Sequence, residues 1–273
     1  MPQATPPRPV TIVTGGTFGL GQDIVVELAR RGHAVVAFGL AGRQVSSTAS
    51  GTEGLQQALD EAGLEADILE ADVSLAADVE RVVSHTLARH GRIDGLVNNA
   101  AIGPLGTVLS TAEDVFERIM AVNVRGVYLA CRQVIPHMAR QGGGAIVNVG
   151  SGAGYGKPNM AAYAASKGAL LALSTAMAYD HFHQHVRVNV AIPGGGGIIS
   201  GMSVGRFNGV LEDFKNRDYP GTAAGFPLNG TEFARTIAFL LSDEARTISG
   251  TVVDVGCFAN QGGPVPPKPA ARN

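Results

Sequence analysis

The chain of 273 residues carries 45% hydrophobic residues, 37 glycines and a formal net charge of -2. That is enough to bury one sizeable α/β core with tight turns, and it gives no electrostatic case for nucleic acid or an anionic membrane surface as a partner. Cys131 and Cys257 offer neither a disulfide framework nor metal-ligand spacing, the N-terminus lacks the apolar core of a signal peptide, and no apolar run is long enough to span a bilayer, so a soluble protein of the reducing cytoplasm is expected.

Residues Met1 to Arg8 and Gln261 to Asn273 are polar and Pro-rich and read as disordered tails around one domain, 9–260. Pro9 to Thr14 is a short apolar run, as in a strand buried on both faces. It leads through Gly15-Gly16-Thr17-Phe18-Gly19-Leu20-Gly21 into a helix, Gln22 to Arg31. A strand, a glycine turn and a helix N-terminus together place backbone N–H groups where a pyrophosphate could sit, although such a turn can also be merely tight. A second strand, Ala34 to Phe38, ends where sites selective for NAD place a diol-binding acid. No acid occurs between Glu27 and Glu53. Instead Gly39 is followed by Arg43, Ser46, Ser47 and Thr48, a cation with hydroxyls that either holds a 2′-phosphate or forms a solvated loop. NADP is therefore favoured, with NAD the alternative.

A helix from Gly54 to Ala62 precedes a third strand, Glu65 to Glu70, which ends in Asp72-Val73. Asp72 could accept from an adenine amino group or cap the following helix with Ser74. That helix, Leu75 to His90, has Val79, Val82, Val83 and Leu87 at helical spacing. The fourth strand, from Ile93, delivers Asn98, Asn99, Ala100 and Ala101 at its ligand-facing end. Thr111 to Gln141 holds two helices or one bent run, and Asn123 and Gly126 within it are poor formers that imply a kink. Ala145 to Gly150 is a fifth strand that delivers Ser151, and Val186 to Ile192 is a sixth that delivers Pro193 and Gly194. The stretch from Gly194 to Gly230, with Met202, Phe207, Phe214, Tyr219 and Phe226, is too long for a plain connection and reads as a functional loop. A helix from Thr231 to Ser242 and a seventh strand, Thr251 to Val255, follow. Strands alternating with helices throughout imply one doubly wound α/β domain with a parallel sheet covered on both faces.

Between the fifth and sixth strands lies a helix, Ala161 to Asp180, that holds Tyr163 and Lys167. At about 100° per residue the two lie roughly 40° apart around the helix and one turn apart along it. An ammonium near a phenol favours the phenolate and lowers a pKa that starts near 10, which makes the phenol a usable acid or base. Tyr155, Pro158 and Met160 either line a pocket between Ser151 and Tyr163 or pack a turn. His181, His183 and His185 lie at a helix end, where cations are favoured, and lack an acid or Cys to complete a metal set. Cys257 reads as packing.

Thr14-Gly15-xxx-Gly19-x-Gly21, Asp72-Val73, Asn98-Asn99-Ala100, Asn123, Ser151, Tyr163-xxx-Lys167 and Pro193-Gly194 occur in the order, and at close to the spacings, of the short-chain dehydrogenase/reductase family, which residues 9–260 resemble. The resemblance implies a Rossmann-type fold with a seven-stranded sheet and a catalytic set. Tyr163 would exchange the hydroxyl proton and Ser151 would hydrogen-bond the carbonyl oxygen. Lys167 would bind the nicotinamide ribose, and Asn123 would hold a proton-relay water. Gly15, Thr17, Phe18, Gly19, Leu20, Gly21, Asp72, Val73, Asn99, Ala100, Tyr163, Lys167, Pro193 and Gly194 map onto cofactor-contacting positions, and Arg43 joins them by the argument above. The substrate implied is a small ketone or secondary alcohol, the long loop its lid, and the assembly a homodimer or homotetramer. Four positions depart from the family pattern: Ala101 for Gly, a shorter Ser151 to Tyr163 interval, Gly39 for the diol-binding acid, and Ile198 where a Thr would bond the nicotinamide amide. An epimerase or dehydratase that retains its nicotinamide, and a non-catalytic cofactor sensor, are the alternative functions.

Overall fold

Five apolar stretches set the frame, because a strand with no polar side chain facing out must be covered on both faces. Val10–Thr14 (β1) and Ala34–Gly39 (β2) are buried along their whole length, and Gly95–Asn98 (β4) likewise. Gly144–Val149 (β5) is buried but for Gly144, and Val186–Pro193 (β6) is buried but for Arg187 and Pro193. In a computed structural model, which describes residues 8–40, 51–194, 198, 202–203, 211–216, 222, 224–226 and 228–256, these strands join Asp67–Glu70 (β3) and Val252–Val255 (β7). All pair in parallel, in the order β3-β2-β1-β4-β5-β6-β7.

Alternate side chains of each strand feed two cores. Ile12, Val36, Leu96, Ile146 and Val188 align across the sheet and pack against Ala76–His90 (α3), Gly126–Arg140 (α5) and Ala161–Asp180 (α6). On the other face Val13, Ala37, Val97 and Val147 pack against Leu20–Arg30 (α1), Thr52–Ala62 (α2) and a helix from Gly230 to Leu241. Glu113–Met120 (α4) runs into α5 through a π-helical turn, Ala121–Arg125, at the place where Asn123 and Gly126 interrupt the helical pattern. Gly126 is there for space: a Cβ would meet both methyls of Val73 at 3.0 Å.

A short helix, Leu211–Asn216 (α7), lies within the stretch read as a loop, and the Gly230–Leu241 helix is α8. Arg187 donates to the carbonyls of Leu240, Leu241 and Ser242 (2.7, 3.3 and 3.1 Å) and so satisfies the α8 C-terminus with a cation. At the sheet's N-terminal rim, α2 and α3 end on the left-handed Gly63 (φ 64°) and Gly91 (φ 72°). Arg8, counted with the N-terminal tail, donates to the carbonyls of Gly32 and His33 at 2.9 and 2.7 Å. Among the described residues no helix is long and apolar enough to cross a membrane.

Candidate active site

The strand order reverses between β1 and β4, and a crevice at the C-terminal ends of the strands opens where such a reversal occurs. Thr14 and Asn98 are paired there. The turn from Gly15 to Gly19 leaves β1 at this point. Gly15 (φ 62°) has the Cα of Ala100 2.8 Å from where a Cβ would stand, and a Cβ on Gly21 would strike the Gly15 carbonyl. Both glycines are therefore demanded by close backbone approach. Gly19 precedes α1 with φ 54° and no side chain caps the helix, so the first-turn amides, from Leu20 onward, can serve an anion. Thr17 is buried, and its hydroxyl fills the space beside Gly39 that a side chain there would need. These features fit the pyrophosphate of a dinucleotide: a bare helix N-terminus and glycines at closest approach.

Asn99 has a structural duty in this crevice. Its Nδ2 donates to the carbonyls of Thr14 and Gly15 at 3.2 and 3.0 Å, while the Thr14 hydroxyl accepts from the Asn99 and Ala100 amides at 3.1 and 3.0 Å. The side-chain amide thus ties the glycine turn to β4. Asn98 is turned into the core, donating to Asn148 Oδ1 at 2.8 Å. Asp72 makes a turn of its own, accepting from the Ser74 amide and hydroxyl (2.8 and 2.6 Å) and from Arg118 (2.8 Å). Burial alone would raise this carboxyl, but the hydrogen bonds from Ser74 and Arg118 outweigh it and hold the pKa below the ordinary carboxylate value. Asp72 and Ser74 do pair, but the expected helix cap is not formed, because α3 begins after Leu75 with no side-chain cap; the partner Arg118 was invisible in the local sequence.

Around Tyr163 the polar side chains converge. Tyr163 and Lys167 are both buried on α6, and the ammonium lies 5.8 Å from the Tyr163 ring centroid. Lys167 Nζ donates to the Val149 carbonyl at 2.8 Å, which anchors the ammonium at the end of β5. Burial lowers the Lys167 pKa to about 8. Ser151, the residue after Gly150 at the end of that strand, caps a 3-10 turn, Gly152–Tyr155, accepting from the Ala153 amide at 3.2 Å. This turn packs directly on α6: a Cβ on Gly154 would stand 3.0 Å from the Lys167 carbonyl. One helix and one strand end therefore carry Ser151, Tyr163 and Lys167 together.

Asn123 is buried beneath them. Its Oδ1 accepts from the Ile102 amide (2.9 Å), and its Nδ2 donates to the Ile102 carbonyl (2.8 Å) and to Ser166 Oγ (2.9 Å). Both amide hydrogens are used, so the side chain works as a brace. Ser166, missed in the sequence reading though it stands between Tyr163 and Lys167, completes that brace by donating to the Tyr163 carbonyl at 2.7 Å. Pro193 ends β6, and the Gly194 amide is held by the Val255 carbonyl at 2.8 Å. Val73 packs at the start of α5 and Phe18 lies in the glycine turn. Ile198 packs against the core on the α1 side. Tyr155 is half exposed, and His181 is engaged by Gln184 at 2.7 Å. Arg43, Ser46 to Thr48, Phe207, Tyr219 and Cys257 lie outside the described residues.

Residues 9–203 match the family model described as short chain dehydrogenase. The 2-(S)-hydroxypropyl-CoM dehydrogenase 3 of Xanthobacter autotrophicus is 35% identical over 264 residues, covering 93% of this chain and 95% of its own length. Among solved structures, the 3-ketoacyl-(acyl-carrier-protein) reductase from Brucella melitensis, complexed with NADH, aligns with a TM-score of 0.77 at 30% identity over 94% of this chain and 100% of that one. An actinorhodin polyketide ketoreductase variant with NADPH aligns with a TM-score of 0.79 at 25% identity over 93% and 97%.

Proposed function

This chain belongs to the short-chain dehydrogenase/reductase family, an oxidoreductase acting on a CH-OH or C=O group, and we propose that it interconverts a secondary alcohol and a ketone with NADP(H), using Tyr163 as the acid and base. The observation that carries the reading is the buried pair on α6, with the Lys167 ammonium 5.8 Å from the Tyr163 ring, beside the strand-order reversal. When bound, the nicotinamide supplies or takes the hydride.

The rest of the chemistry falls to side chains. Negative charge builds on the carbonyl oxygen as the ketone is reduced, and the hydroxyls of Ser151 and Tyr163 are the donors this chain can aim at it. Tyr163 gives up its proton in that direction and takes it back in the other. The Lys167 ammonium favours the phenolate electrostatically and offers its remaining hydrogens to a ribose, one being held by Val149. With the Asn123 amide committed to Ile102 and Ser166, a relay water would have to use the main-chain carbonyls of the π-helical turn.

NADP is supported by Gly39, which leaves the end of β2 without an acid, and by the cation Arg43 four residues on; the two solved relatives carry NADH in one case and NADPH in the other. Assembly into a dimer or tetramer is supported by α6, which carries no charge from Gly168 to Tyr179 and exposes Ala165, Ala172, Ala176 and Tyr179. A panel of ketones and secondary alcohols run with both cofactors tests the activity. Tyr163→Phe is expected to abolish turnover and leave cofactor affinity intact; undiminished turnover in that variant removes the mechanism.

A further inference from the structure

Gly103 follows Ile102 on the connection from β4 to α4, and its φ lies outside the left-handed region. Any residue could adopt that backbone, so the glycine answers to space. A Cβ at this position would stand 2.7 and 3.0 Å from the Cδ2 and Cε2 carbons of Tyr163 and 3.0 Å from the sulfur of Met202. Packed atoms do not approach so closely, and something would have to yield.

The loop cannot easily be what yields. On one side of Gly103 both backbone groups of Ile102 are held by Asn123 at 2.9 and 2.8 Å. On the other, the Gly106 amide donates to the Asn159 carbonyl at 2.9 Å and its carbonyl accepts from the Ala161 amide at 3.0 Å. Gly103 therefore lies between two fixed points, one of them the first turn of α6, and Tyr163 is itself buried. We infer that Gly103 is a positioning residue whose bare Cα seats the Tyr163 ring, with Met202 closing the same spot from the segment after β6. The inference rests on the functional reading above for its effect on turnover, but the packing claim stands independently of it.

Gly103→Ala and Tyr163→Phe are assayed side by side over pH, with the ketone that the panel shows to be turned over and the cofactor used with it. In Gly103→Ala, kcat is expected to fall on the order of 100-fold, as for a reacting group moved by about 1 Å. Cofactor affinity should be unchanged, and the pH–rate profile should move because the phenol has left its place beside Lys167. A parent rate and profile in Gly103→Ala overturn the inference. Tyr163→Phe with parent turnover overturns the functional reading instead, and leaves the packing claim to thermal unfolding. There, Gly103→Ala lowers the melting temperature, and most of that loss returns when Tyr163→Ala opens the space; folding only in the double variant is the same result in stronger form. A loss of equal size in both backgrounds overturns the claim.

Discussion

Replacing Lys167 with Met should make the protein more stable and inactive. The ammonium is buried, and burial lowers its pKa from 10.5 to about 8; at about 1.4 kcal/mol per pH unit, carrying the charge at pH 7 costs roughly 3 kcal/mol. Against this stands the hydrogen bond to the Val149 carbonyl, whose loss leaves a buried acceptor and costs about 1–3 kcal/mol. The net expectation for Lys167→Met at pH 7 is a gain of up to about 2 kcal/mol, seen as a rise of about 2–4 °C in Tm for each kcal/mol. The pH dependence separates this cause from better packing. Between pH 8 and 10.5 the unfolded parent holds a proton that the folded parent has released, so the parent gains stability as pH rises through that window. The Met variant has no such group, and its advantage should close. Thermal unfolding of both proteins from pH 7 to 10 measures the gap, and the panel assay measures turnover. A variant that melts below the parent at pH 7, by an amount that does not change with pH, would refute the reasoning.

Asp23, on α1 against Gly230 at the start of α8, offers the opposite linkage. Burial pushes its carboxyl from 3.8 to about 6, so the stability it contributes is complete below 3.8 and lost as pH rises through about 6. Asp23→Asn should therefore match the parent near pH 4 and exceed it at pH 7 by about 1–2 kcal/mol, the α8 N-terminus offsetting part of the roughly 3 kcal/mol implied by the pKa alone; a difference that is flat with pH counts against this account. Gly39→Asp should fail to install NADH selectivity, because its Cβ meets the Thr17 hydroxyl in the glycine turn. Thr17→Ala with Gly39→Asp should bind NADH more tightly than the single variant does in fluorescence titration, and a single variant that already prefers NADH would show that Thr17 gives way freely.

The frame of the molecule was legible because its strands carry their burial in their composition: PVTIVT reads as a strand buried on both faces, AVVAF and VRVNVAI read as strands, and all three lie within a residue of the strands observed. The glycine turn and the Tyr163 and Lys167 spacing were equally local. What escaped were partners far along the chain. Asn99 was expected to contact a ligand, and its further duty, donating to the carbonyls of Thr14 and Gly15, is one that no window around residue 99 reveals. Asn123 was expected to hold a water, and nothing near it in sequence announced that its side chain braces Ile102 and Ser166. Gly103 gave no signal at all, since its backbone is ordinary and the reason for it is a ring that enters from α6. The helix α7 lay hidden in a stretch judged by its length and glycines.

Because the strands run parallel, the molecule has two rims with separate duties. The Gly15 to Gly19 turn, Asp72, Asn99, Ser151 and Pro193 all leave strands at one rim, while the described residues of the other include returns such as Gly63 and Gly91, each a left-handed residue with no atom near its Cβ position. A fused label or a surface tether placed on that second rim meets no chemistry, and selection can rework the reacting rim without renegotiating how the chain folds.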